Sequence, residues 1–286
     1  MSAAPLLAAL DIADDASRAL VTAADYAERT GRDLHILNVR ASMPTYVPKT
    51  DPDAGFRAMV EVKVDQALGP GACVQLQPTI HVVHGDAPAH ATISLADEIA
   101  PALVVLGTHG RRGYQRFAHG SVAEEVIRKA PCAVLAVPNG AERLTPSPDR
   151  PVLIPIDLSD HSAAALRAGA EFAARYDAPV IVLHSVPPSG FGAGRYVISG
   201  RVQSSISEAT RSAVGLHIAD SGINADEVLI EPGFPDEVID RIAEERQVGC
   251  IAMGTHGRRG IEYAVVGSIT ESVMRRAACP VLAVRA

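Results

Sequence analysis

The 286-residue chain has no tryptophan, and aromatic residues make up only 4% of it. Stacking platforms for single-stranded nucleic acid therefore have little to be built from. An excess of positive charge is also missing. The formal net charge is −7, which argues against nucleic acid as the main partner. Cysteine is scarce and scattered, at Cys73, Cys132, Cys250 and Cys279, and never occurs as C-x-x-C. That argues against a zinc ribbon or a disulfide framework and fits a reducing compartment, so a cytoplasmic protein is expected. No apolar run reaches the roughly 18 residues of a membrane span, so no membrane partner is expected. The apolar start from Met1 to Leu10 lacks a basic segment and meets Asp11 at once. It reads as a first strand rather than a signal peptide. No G-x-x-x-x-G-K-[ST] is present, so this is not a P-loop protein.

What the chain does have is a duplication. Hydrophobic residues make up 48%, which is ordinary for a folded protein. The length suggests two domains, at roughly 100–200 residues each. Leu103–Val137 laid over Cys250–Val284 gives 18 identities in 35 positions. GTHGRRG stands at Gly107–Gly113 and again at Gly254–Gly260, and V-L-A-V closes each copy. The openings match too, with Leu6–Asp11 over Val152–Asp157. Leu20, Ala24 and Ala27 fall over Leu166, Ala170 and Ala173. The turn-rich stretch Asn139–Arg150 lies between the copies as a linker. The expected domains are 1–138 and 151–286, because a repeat this long must be a domain rather than a solenoid unit.

Within the second copy, apolar runs alternate with amphipathic stretches. Strands are expected at Val152–Ile156, Pro179–Val186, Glu227–Glu231, Gly249–Met253 and Pro280–Val284. Helices are expected from the Ser159-Asp160 cap, over about Tyr196–Ala219, over Pro235–Arg246 and over Gly267–Ala277. The helix after the cap carries a small-residue face that would sit close to a sheet. Alternating strands and helices imply an α/β fold with two repeated doubly wound domains, each built on a five-stranded parallel sheet. Such sheets bind ligands beyond the carboxyl ends of strands, where strand order reverses. The first and fourth strands of each copy end in unusual loops, at Asp11 and Asp157 and at Gly107 and Gly254.

The fourth strand leads into G-x-x-G, nine residues, then G-S opening a helix. The residues are Gly107, Gly110, Gly120 and Ser121 in one copy, and Gly254, Gly257, Gly267 and Ser268 in the other. Glycine permits left-handed backbone and close approach to a ligand. Successive backbone N–H groups and a helix N-terminus attract anions, with polyphosphate as the natural occupant. Arg111, Arg112, Arg258 and Arg259 add cationic charge within the same loops. The competing reading is a plain strand–helix turn with solvated arginines. Gly190, Gly192 and Gly194 mimic part of a dinucleotide fingerprint but miss its third-glycine spacing, so they read as a loop.

The G-x-x-G-x9-G-[ST] signature after a strand, with an early V-P-x-D-x-S-like strand end, resembles the universal stress protein family. The resemblance covers nearly the whole chain twice, points to the ATP-binding branch of that family, and implies an adenine nucleotide alpha hydrolase-like, Rossmann-like fold. It implies one ATP per domain, usually with Mg2+, and a pseudo-dimer of the two domains through their last strands. A further homodimer is compatible with it. Residue by residue, it places Asp157, after Pro155, beside adenosine, with Ser159 nearby. In the first copy Asp11 takes that place, while Ala9 and Ala13 replace the proline and serine. Val39 and, less closely, Ser185 match the position facing adenine. Gly107, His109, Gly110, Arg111, Gly120, Ser121 and Val122 would wrap ribose and phosphates. Gly254, His256, Gly257, Arg258, Gly267, Ser268 and Ile269 would do so in the second copy. Where the family often carries an Asp at the start of the fourth strand, Ala102 and Gly249 stand here.

Other candidates are set aside. His109 and His256 have no visible carboxylate partner for acid–base work. His81 and His84 would face opposite sides of a strand, so no shared metal is expected. Cys132 and Cys279 read as packing residues. Glu124, Glu125, Arg128 and Lys129 read as an exposed helix face. No catalytic or metal-ligating residue is assigned. The leading expectation is a nucleotide-dependent regulatory protein with slow ATP hydrolysis at most. The rivals are an ATP-pyrophosphatase or adenylating enzyme on the same architecture and a nucleotide-free interaction module. The first rival normally wants a glycine- or serine-rich loop after the first strand, where this chain is acidic.

Overall fold

The structure, a computed structural model, describes residues 3–10, 17–40, 53–108, 121–138, 140–142, 145–187, 207–255 and 267–285. The first repeat runs β1 (Leu6–Leu10), α1 (Ser17–Thr30), β2 (Leu34–Arg40), α2 (Ala54–Leu68), α3 (Ala72–Leu76), β3 (Thr79–His84), α4 (Pro88–Ile99), β4 (Leu103–Gly107), α5 (Ser121–Lys129) and β5 (Ala133–Val137). The second runs β6 (Val152–Ile156), α6 (Asp160–Ala174), β7 (Val180–Val186), α7 (Glu208–Ser221), β8 (Glu227–Pro232), α8 (Pro235–Glu245), β9 (Cys250–Gly254), α9 (Ser268–Arg276) and β10 (Val281–Val284). The alternation expected from the sequence is present in both copies. The short α3 stands between α2 and β3, where the sequence pattern predicts no separate helix. Of the long helix expected from Tyr196, residues 196–206 lie outside the described residues.

The chain divides into two compact units, Met1–Leu144 with Ala278–Ala283, and Thr145–Ala277 with Val284–Ala286. In the first unit the parallel order is β3-β2-β1-β4-β5. Val281–Ala283 of β10 add to it antiparallel to β5. In the second unit the parallel order is β9-β6-β7-β8. Strand order therefore reverses beside β1 and β4, and again beside β6 and β9.

Parallel strands covered on both faces read as continuous apolar runs. Leu6, Leu7 and Ala8 of β1 and Val152, Leu153 and Ile154 of β6 are fully buried. The covering helices use small residues to sit close. A Cβ at Gly169 of α6 would lie 2.7 Å from Ile154 Cδ1 and 2.8 Å from Ala252 Cβ. The small-residue face expected of this helix is thus a contact with the sheet. In α1 the matching positions Leu20, Ala24 and Ala27 are buried.

Helix starts follow local chemistry. Ser159 caps α6, its Oγ accepting from Ser162 N at 3.3 Å while its own N donates to Ser162 Oγ at 3.1 Å. Pro88 and Pro235 open α4 and α8, where a missing N–H costs nothing.

The linker residues are held by backbone bonds. Ala141 is fully buried, and Glu142 N donates to Ala278 O at 3.0 Å. Ser147 and Arg150 exchange two backbone bonds. A Cβ at Gly249 would lie 2.5 Å from Pro146 Cα. This glycine is therefore required by the linker passing across the start of β9.

Candidate functional site

In the second unit, β6 and β9 lie side by side with Val152 opposite Cys250 and Leu153 opposite Ile251. Their carboxyl ends deliver Asp157 and Gly254 to one edge of the sheet. The turn after β6 is tightly determined. Asp157 Oδ1 accepts from Ser159 N at 3.1 Å and from Ser159 Oγ at 2.5 Å. Leu158 between them has φ +64, a left-handed conformation uncommon for a bulky residue. The surrounding hydrogen bonds hold that strain in place.

The end of β9 is fixed from two sides. A Cβ at Gly254 would sit 3.0 Å from His161 O, in the first turn of α6. Gly254 is thus needed for close helix–strand packing, a reason separate from approach to a ligand. Thr270 Oγ1 of α9 donates to Gly254 O at 2.9 Å. Gly267 N donates to Thr255 O at 2.8 Å, and the first bond inside α9 runs from Glu271 N to Gly267 O. The N–H groups of Ser268, Ile269 and Thr270 have no partner within the helix, and its positive dipole end lies there. Ser268 is exposed, and Gly267 and Ile269 are half-buried. One edge of this unit therefore gathers a carboxylate, a glycine strand end and a helix N-terminus.

The first unit repeats part of this plan. β1 and β4 are neighbours, with Ala9 opposite Leu106. Gly107 ends β4 in register with Val137, and Ser121 opens α5. Thr108 N donates to Val137 O at 3.1 Å, as Thr255 N does to Val284 O at 2.9 Å. Val39 and Val122 are half-buried, as are Pro155 and Ser185 in the second unit. Asp11, His109, Gly110, Arg111 and Gly120 lie outside the described residues, as do His256, Gly257 and Arg258.

Several residues at these edges carry no motif. Asn38 Nδ2 donates to Leu10 O at 2.9 Å, and His184 Nδ1 bonds Ile156 O at 3.0 Å. The two side chains occupy the same place in the two repeats and tie the second strand to the end of the first. Their only signal is a polar residue aligned in both copies within an otherwise apolar strand. Ser162 and His217 read in the sequence only as members of two expected helices, and nothing in their spacing marks a tie. Their side chains meet at 3.0 Å, joining α6 to α7.

The residues set aside have separate explanations. His81 Nε2 meets His35 Nδ1 at 2.9 Å on the neighbouring strand, and His84 pairs with Asp53 at 2.7 Å. Among the described residues no group of three or more His, Cys, Asp or Glu could hold a metal ion. Cys279 is fully buried, and burial pushes the Cys132 thiol up to about 11. Lys129 and Glu125 form an exposed pair at 2.7 Å. No helix among the described residues is long and apolar enough to cross a membrane.

Comparison with known proteins yields a family match twice over. The family described as the universal stress protein family matches residues 4–138 and again 150–285. A universal stress protein of Methanocaldococcus jannaschii is 29% identical over 138 residues, covering 47% of this chain and 81% of its own. One of Mycobacterium bovis is 27% identical over 207 residues, covering 69% of this chain and 66% of its own. Among solved structures, a universal stress protein from Archaeoglobus fulgidus shares the fold at a TM-score of 0.65 and 18% identity. That likeness covers 100% of this chain and 99% of the other.

Proposed function

This chain belongs to the universal stress protein family, and on that footing we propose that it binds ATP and uses the bound nucleotide as a regulatory signal. One observation carries the proposal. The two strand ends beside the reversal of strand order, in each unit, are those whose sequences hold the acidic turn and the glycine signature. Open parallel sheets bind ligands at that point. The residues fit the group. Asp157 stands at the adenosine end, and the N-terminus of α9, opened by Gly267 and Ser268, faces the phosphates. Arg258 and Arg259, with Arg111 and Arg112 in the first copy, supply the counter-charge. Mg2+ would be carried mainly on the phosphates, since it needs few protein oxygens in such sites. ATP then favours one conformation or partner set over another, with turnover slower than about 1 per second.

The test is calorimetric titration of nucleotide-free protein with ATP, AMP and NAD. ATP binding that is weakened by Gly267→Val and by Gly120→Val is the expected result. No ATP binding by the nucleotide-free wild type overturns the proposal.

A further inference from the structure

The Asp157 turn is connected to a helix that the nucleotide reading does not use. Ser162, three residues after Ser159, is 4% exposed. Its hydroxyl accepts from Ser159 N at 3.1 Å and donates to Ser159 O at 2.8 Å. The remaining lone pair faces His217 Nε2 of α7 at 3.0 Å. A hydroxyl has one proton and two lone pairs. With its proton on Ser159 O, the hydroxyl is saturated only if His217 Nε2 is the donor. The imidazole thus closes a chain of bonds that runs from α7 through Ser162 and Ser159 to the Asp157 carboxylate.

That chain holds a turn under strain. Leu158 sits at φ +64, and such a conformation persists only where its surroundings determine it fully. The same first turn of α6 presents His161 O to the end of β9. A shift of α6 would therefore move Asp157 and the glycine strand end together. The first repeat has no such device in its sequence. Ala13 and Ala16 stand where Ser159 and Ser162 stand in the second.

We propose that His217 is a positioning residue for the second site: through Ser162 it fixes the Asp157 turn and couples α7 to nucleotide occupancy. The inference rests on the nucleotide reading above. A group argued to act through another must show more than lost stability. His217→Leu removes the donor, while His217→Gln keeps an N–H near the same place. Coupling between two sites is reciprocal, so nucleotide at Asp157 must also protect α7.

The experiment uses the full chain, ATP titration and amide hydrogen exchange, with thermal melts confirming that each variant is folded. In the wild type, ATP slows exchange over 208–221. In His217→Leu, one class of ATP sites weakens about tenfold, as expected for one lost hydrogen bond with its partner left buried, and the α7 response disappears. His217→Gln restores both. A folded His217→Leu with wild-type ATP affinity and α7 protection overturns this inference and leaves nucleotide binding standing. A wild type that binds no ATP overturns the nucleotide reading and this inference with it. Should His217→Leu fail to fold, Ser162→Ala is read in the same way.

Discussion

The two repeats solve the same packing problems with different residues. On the second-unit sheet, Ile154, Gly169 and Ala252 meet where the first repeat has Ala8, Ala23 and Val105. Each trio mixes large and small, but the bulk has moved from one strand to another. At the helix that follows the glycine signature, Thr270 ties α9 to Gly254 O, and the first repeat has Ala123 there. At the outer strands, His35 and His81 form a bonded pair where the second unit places Ile181 and Leu229. What stayed constant is the glycine signature and the backbone bonds behind it. The lesson is that the glycine-signature end of the two copies is held in common, while the turn after the first strand and the surrounding core drifted.

Swapping residues between copies tests this. The largest effect is expected at Gly249. Gly249→Ala forces a Cβ onto the Pro146 main chain and should cost about 3 kcal/mol in urea unfolding. Ala102, its counterpart, already carries a Cβ, so Ala102→Gly should cost about 1 kcal/mol or less, through the freer unfolded chain. Equal costs at both positions would erase the proposed role of the linker. Next comes Gly169→Ala, where helix propensity gains about 1 kcal/mol and overpacking costs about 2–3. Adding Ile154→Ala recreates the first repeat's pairing. The double variant should be more stable than the two single effects predict, by about 1 kcal/mol. Strict additivity would show that the trio is not coupled.

Ser159→Ala removes the α6 cap and should cost about 1 kcal/mol, with a matching loss of ATP affinity confined to one site. The smallest effect is electrostatic. Burial lowers the proton affinity of both His35 and His81, opposed by Asp33 on the first and Glu98 on the second. The folded state then binds fewer protons than the unfolded chain, so stability is present above the ordinary imidazole value of 6.5 and falls as pH drops through it. Thermal melts between about pH 5 and 8 should show this slope. His35→Ile with His81→Leu, copied from the second unit, should flatten it.

Much of this fold is legible in the sequence because buried parallel strands are continuous apolar runs. Val152–Ile156 and Cys250–Gly254 stand out for that reason. The Ser159 cap and the proline-led α8 are equally readable, since capping is local chemistry. The glycine signature and Asp157 can be placed at strand ends from pattern alone. The tie from His184 to Ile156 O, the His217–Ser162 bond and the linker against Gly249 cannot be. Each joins residues far apart in the chain, and none has a spacing that announces it. Gly249 shows this best: its residue type is set by the main chain of Pro146, which no propensity or periodicity describes.

The pairing of β10 with β5 carries a consequence in time. Val281 meets Ala136 across about half the length of the chain. During synthesis at about 5–20 residues per second, β5 would emerge on the order of ten seconds before its antiparallel neighbour exists. For that interval Ala133–Val137 is an apolar strand with one side unpaired, the kind of edge that recruits wrong neighbours. A nascent first unit is therefore open to misassembly along this strand until residues 281–283 have emerged from the ribosome and paired with it.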